Sequence, residues 1–154
     1  MEFKTSTHQT CYERVATWMK ELFGEMAMTR SDVPLIGVLV GSAYAQVAIH
    51  PWGDDDATVT ARAYVVLGTE LQPELMYYLL RQNADMRFGA FGVDNEGDIF
   101  FEHTIVGSTC ERSELKASVM AVAITAGQYA DALVARLGGR RGLDLFTGAL
   151  EVAA

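Results

Sequence analysis

The chain has 154 residues, half of them apolar and 21% charged, which is enough apolar side chain for one folded core and too much for a disordered chain. Twelve Lys and Arg against 20 Asp and Glu give a formal net charge of −8, which works against the electrostatic attraction that carries binding to nucleic acid or anionic lipid. Neither a nucleic acid nor a membrane is an expected partner.

Met1 to Thr10 carries one Lys and no apolar run, unlike a secretory leader, and no apolar run reaches the ~18 residues of a membrane span. Cys11 and Cys110 are too few and too far apart in sequence for a disulfide framework or a metal site. They read as reduced, semi-buried thiols of a cytoplasmic protein.

From Cys11 to Phe23, apolar Cys11, Val15, Trp18, Met19 and Leu22 face one way and charged residues the other, so this is an amphipathic helix with Ser6 and Thr7 available as caps and Gly24 as its end. Leu35 to Val40, Ala43 to His50 and Thr58 to Leu67 read as three strands. They are separated by Gly41-Ser42 and by Pro51 to Asp56, and short connections imply an antiparallel meander. A short helix follows from Thr69 to Asn83, with Thr69 or Gln72 near its start, Pro73 in its first turn and Asn83 as a left-handed terminus. Arg87 to Val93 and Asp98 to Val106 form a hairpin about Asp94 to Gly97, with Gly97 supplying positive φ.

The last helix runs from beyond Ser108-Thr109 to about Leu137, where Gly138-Gly139 stops it, and Leu115, Val119, Val122, Ala126, Tyr129, Leu133 and Leu137 form its core stripe. Met120 and Ile124 fall almost opposite that stripe, beside small Ala117, Ala121 and Gly127, and are the expected contact of a homodimer. The order α-β-β-β-α-β-β-α, without strict β-α alternation, gives an α+β fold: an antiparallel sheet flanked by helices, in one domain over residues 1–139. Residues 140–154 are a tail, docked or mobile, whose Leu143, Leu145, Phe146 and Leu150 are apolar.

Chemistry is sparse. Asp54-Asp55-Asp56 reads as an exposed acidic turn, and Asp94 to Asp98 lacks the ligand spacing of a calcium loop, with Ile105 at its twelfth position. His8, His50 and His103 have no metal-ligand spacing, Ser42 lacks the glycines of a nucleophile elbow, and Gly138 to Gly142 lacks the Lys-Ser/Thr of a phosphate loop. Neither an enzyme, a metal nor any other cofactor is expected.

Alternation along strands supplies a different site. In Asp98 to Val106, Ile99, Phe101, His103 and Ile105 point inward; in Thr58 to Leu67, the inward set is Val59, Ala61, Ala63, Val65 and Leu67. Tyr64, Val66 and Phe100 then make an outward aromatic and aliphatic patch rimmed by Arg62, the composition of a protein-binding hot spot. An extended segment of another protein is the expected partner, laid on this face or added at a sheet edge.

Leu79-Leu80-Arg81-Gln82-Asn83, Arg87-Phe88-Gly89-Ala90-Phe91-Gly92-Val93-Asp94, Gly97-Asp98-Ile99 and the long helix after Ser108-Thr109 together resemble the bacterial YbjN family, which is similar in fold to the small chaperones of type III secretion. The resemblance covers Leu75 to Leu137 in pattern and the first half in element order. It implies a non-enzymatic, usually dimeric module that binds peptides or proteins. A regulatory or scaffold protein with one fixed partner is the alternative, followed by a small-ligand binder or enzyme using the acidic loop and His50.

Overall fold

The computed structural model describes residues 1–144. Helix α1 (Ser6–Phe23) is capped one residue before the expected Ser6 and Thr7, by Thr5, whose hydroxyl accepts the His8 N–H at 3.0 Å. His8, Cys11, Val15 and Met19 form its buried stripe, and Gly24 ends it at a φ of +57° that only glycine adopts at low cost. A single helical turn leads to β1 (Ala27–Thr29), a strand too short to carry an alternation signal. The meander is present as β2 (Leu35–Val40), β3 (Ala43–Trp52) and β4 (Asp56–Leu67), the last two extending closer to their acidic turn than expected.

Helix α2 (Pro73–Asp85) begins at Gln72 with Pro73 in its first turn, where the missing N–H costs nothing. It runs two residues past Asn83, and no residue other than glycine has positive φ among the described residues, so Asn83 is not a left-handed terminus. Strands β5 (Ala90–Val93) and β6 (Ile99–Val106) flank the expected turn. There the Asp94 carboxylate accepts the Glu96 and Asp98 N–H groups, and Gly97 sits at φ +85°. Helix α3 (Arg112–Leu137) ends at Gly138, and β7 (Arg140–Arg141) follows. Residues 145–154, with Leu145, Phe146 and Leu150 of the expected tail, lie outside the described residues.

The strands form one antiparallel sheet in the order β1-β2-β3-β4-β6-β5, with β7 paired to the end of β4. Helices α1 and α3 pack on its inner face, where Ala45, Ala57, Ala61 and Ala63 of the strands and Ala123, Ala126 and Ala130 of α3 are buried in one core. Such small residues let the helix lie close to the strands, and Phe101, Ile36, Ile49 and Leu115 fill the flanks. Helix α3 is long and apolar enough by composition to cross a membrane, contrary to the reading of the sequence. In the fold it is the central helix of the core, with Leu115, Val119, Val122 and Leu133 buried. Helix α2 lies beside β5.

Candidate functional site

With the helices on one side, the other face of the sheet stands open among the described residues. Its composition follows from register. Leu35, Ala48, Thr60 and Thr104 form one row across the strands, and Gly37, Gln46, Arg62, Glu102 and Ala90 form the next. Gln46, Ala48, His50, Thr60, Arg62 and Tyr64 line a groove of about 340 Å³ along β3 and β4. Ala48 is the smallest side chain in its lining. Tyr44 lies across Gly37, where there is no room for a Cβ.

The four residues expected to bind a partner are treated differently. Arg62 and Tyr64 are half-buried on this outer face. The Arg62 guanidinium donates from Nε and Nη2 to Glu102 Oε2 at 2.8 and 2.6 Å and stacks 3.9 Å above the Phe100 ring. Tyr64 meets Phe100 edge-on and donates from its hydroxyl to Asp94 Oδ2 at 2.9 Å. Phe100 therefore points outward as expected but is only 8% exposed, because Arg62 and Tyr64 close over it; Gly92 opposite has no space for a side chain. Val66 is a correction. The β4–β6 register slips between Tyr64 and Val66, the alternation breaks, and Val65, Val66 and Leu67 are all buried. Val66 is paired on both sides, to Ile99 and to Arg141, and is core.

The ion pair is worth little alone at this exposure; stacked on an aromatic ring it fixes a polar ridge beside the groove. Burial raises the Tyr64 phenol above its ordinary value, with the Asp94 carboxylate adding to it. Burial pushes Asp94 up too, yet hydrogen bonds from the Asp98 N–H, the Tyr64 hydroxyl and the Glu96 N–H outweigh it and hold this carboxyl low.

Of the expected dimer residues, Met120 is half-buried and Ile124 is 49% exposed, beside a groove of about 450 Å³ between α3 and the β2–β3 turn. A denser apolar surface, missed from the sequence, lies on α2: Tyr77 is 69% exposed, Leu80 67%, and Met76 adjoins them. Leu75 and Leu79 supply the buried face of that helix, so a search for apolar residues off the core stripe, applied to α2 as to α3, would have found it. At the opposite edge of the sheet β1 carries exposed Met28, with Met26 and Val33 nearby.

The remaining candidates serve the fold. Asp56 accepts the Ala57 and Ser108 N–H groups at 2.7 and 3.0 Å and the Ser108 hydroxyl at 2.6 Å, tying the acidic turn to the segment before α3. His8 is buried and bonds the Ile49 carbonyl through Nε2 at 2.9 Å. Both cysteines are buried, and burial, with Glu114 and Cys11 nearby, pushes the Cys110 thiol up to about 11. Among the described residues no three His, Cys, Asp or Glu converge on one point.

His103 stacks on Phe88 with ring centroids 4.0 Å apart and bonds the fully buried Ser118 hydroxyl at 3.0 Å. Burial lowers its pKa, and Glu114 only partly offsets this. The unfolded chain thus takes up this proton first, at about pH 6.5, so the contribution of neutral His103 is complete above that pH and is lost as pH falls through the lower folded value. Urea titrations between pH 7 and 5 are expected to show a declining midpoint, with a shallower decline in His103→Gln. An equal slope in the variant would contradict this.

Over residues 9–145 the sequence matches the family described as TY-Chap1, T3SS (YopN, CesT) and YbjN peptide-binding chaperone 1. The chain belongs to this family. One solved structure similar to it comes from "Structure of the HopA1-SchA Chaperone-Effector Complex", with a TM-score of 0.58 and 8% identity over 80% of this chain and 96% of that one. At that identity the likeness is one of fold, and the α+β arrangement expected from element order is the fold of this family. A search of curated proteins finds no match.

Proposed function

We propose that the chain is a non-catalytic chaperone module that holds an extended segment of a client protein against the open face of its sheet and works as a homodimer. The carrying observation is that face, left uncovered by the described helices, with a groove lined by Ala48, Tyr64, Arg62 and His50. It fits the peptide binding for which the family is described. The similar solved structure is of a chaperone together with an effector, which supports a client that is itself a protein. A mixed lining of small, aromatic and hydrogen-bonding residues suits main chain and apolar side chains together.

For the dimer, α2 offers the better surface. Met76, Tyr77 and Leu80 present three large apolar side chains on one helix face, where α3 presents Ile124 with half-buried Met120. A two-fold axis beside α2 would bring each patch onto its own copy, the self-complementary arrangement that closes a dimer.

Selection from a library of short random peptides displayed on phage tests the binding reading. The selected peptides are expected to bind Ala48→Arg, which fills the groove, at least about tenfold more weakly, a cost typical of losing one well-packed contact, while its melting temperature stays near that of the parent. Equal binding to the folded variant would remove this face.

A further inference from the structure

We infer that Trp52, with Asp54 and Asp55 just beyond it, forms a cation site at the end of the outer-face groove and takes one arginine of the client segment. The inference rests on the peptide-binding reading for the groove, but the cation site can be tested without a client.

Strand β3 buries Ala43, Ala45, Val47 and Ile49 and turns its even-numbered residues to the outer face. Gln46, Ala48 and His50 of that row line the groove. Trp52 continues the row two residues past His50 and is 55% exposed. Tryptophan is well buried on average, so an indole left open at the end of a groove is an available contact. Asp56, opposite it on β4, is taken up elsewhere, by the Ala57 N–H and by the N–H and hydroxyl of Ser108. Gly53 turns the chain at φ +61°, and Asp54 and Asp55 follow it, both exposed. Among the described residues neither carboxylate is in an ion pair.

Charge decides what the indole would meet. From Ser31 to Ala61 the chain carries no Lys or Arg, and the Arg30 guanidinium is paired with Asp32. A client carboxylate would be repelled by the turn, whereas a cation finds two carboxylates beside the aromatic face that attracts it most strongly. Arginine suits this pair of groups better than lysine, because its planar guanidinium stacks on a ring while its edge donates to a carboxylate. The chain itself makes that combination on the same face, where Arg62 lies over Phe100 and donates to Glu102. Four residues separate Ala48 from Trp52, about 13 Å along the strand, and an extended segment repeats its side chains at the same period. The arginine therefore lies four residues from the client residue seated over Ala48, and it sets the register of the segment in the groove.

Titration with N-acetylarginine amide reads the cation site alone. At tens of millimolar it is expected to shift the indole N–H resonance of Trp52, assigned by its loss in Trp52→Phe, about threefold more than N-acetylcitrulline amide does, a ratio in the range of one exposed cation–π contact. Asp54→Asn together with Asp55→Asn is expected to reduce that difference. Equal shifts from the two amides, or a difference unchanged in the double variant, would overturn the site. The phage selection reads the register: peptides selected on the parent are expected to carry arginine about threefold above the unselected library at the position four residues from a common apolar one, and to lose the excess when selected on Trp52→Ala. Peptides weakened by Ala48→Arg that lack this arginine, or keep it on Trp52→Ala, would overturn the inference and leave the groove reading standing. Peptides indifferent to Ala48→Arg would sink the groove reading, and the register with it, whatever the amides show.

Discussion

Replacing Phe101 by alanine is expected to lower stability by about 3–5 kcal/mol, the range for emptying a large aromatic site in a core. Phe101 has no exposed surface, packs edge-on against Phe91 with ring centroids 5.0 Å apart, and lies close to the backbone of Gly89. These neighbours are held by paired strands and by a glycine at φ +84°, so they cannot move in to fill the space. Against a total of about 5–15 kcal/mol for a domain, the loss should be plain in a urea denaturation curve. Phe100, one residue earlier and on the opposite face, provides the comparison. It is covered by Arg62 and Tyr64, flexible side chains that can collapse into the gap, so Phe100→Ala should cost clearly less. Similar losses at both positions would mean that the outer cluster is as rigid as the core.

The second large effect concerns association. Leu80→Asp on α2 is expected to weaken the proposed dimer by about 3 kcal/mol, roughly a hundredfold, because the two-fold axis would bury two unpaired carboxylates against apolar neighbours. As Leu80 is exposed in the single chain, the far-UV circular dichroism spectrum should not change. Ile124→Asp should leave the dimer intact. Sedimentation equilibrium on both variants reads this directly: dissociation by Ile124→Asp alone would move the contact to α3, and a parent that is monomeric at micromolar concentration would remove the dimer altogether.

Long periodic segments were legible in the sequence, since α1, α3 and the three strands of the meander each repeat their burial pattern often enough to fix both type and face. The failures share a cause. Strands β1 and β7 are three and two residues long, and a pattern of period two cannot be read from so few positions. Val66 was placed outward by counting alternate residues from Val59, and the count fails at a bulge whose presence depends on pairing with β6 and β7, not on local sequence. Phe100 was placed on the correct face, but Arg62 reaching over its ring is a cross-strand event that only register reveals. Asn83 carried a signal that was assigned the wrong role. Its amide bonds both the N–H and the carbonyl of Phe91, at 2.7 and 3.1 Å, from a helix that continues beyond it.

That pair of bonds makes the sheet directional as a template for growth. The Phe91 groups that Asn83 engages are the ones turned away from β6, so on this border a side chain stands where a neighbouring strand would attach, and α2 lies alongside as a fender. At the opposite border, among the described residues, β1 pairs only with β2. Of these two described borders, one is left as a berth for an incoming strand. In the described strands, copies of the chain therefore lack the two sticky borders that ribbon-like polymerisation needs, and the proposed client-holding module is spared from being drawn into endless sheets with its own kind.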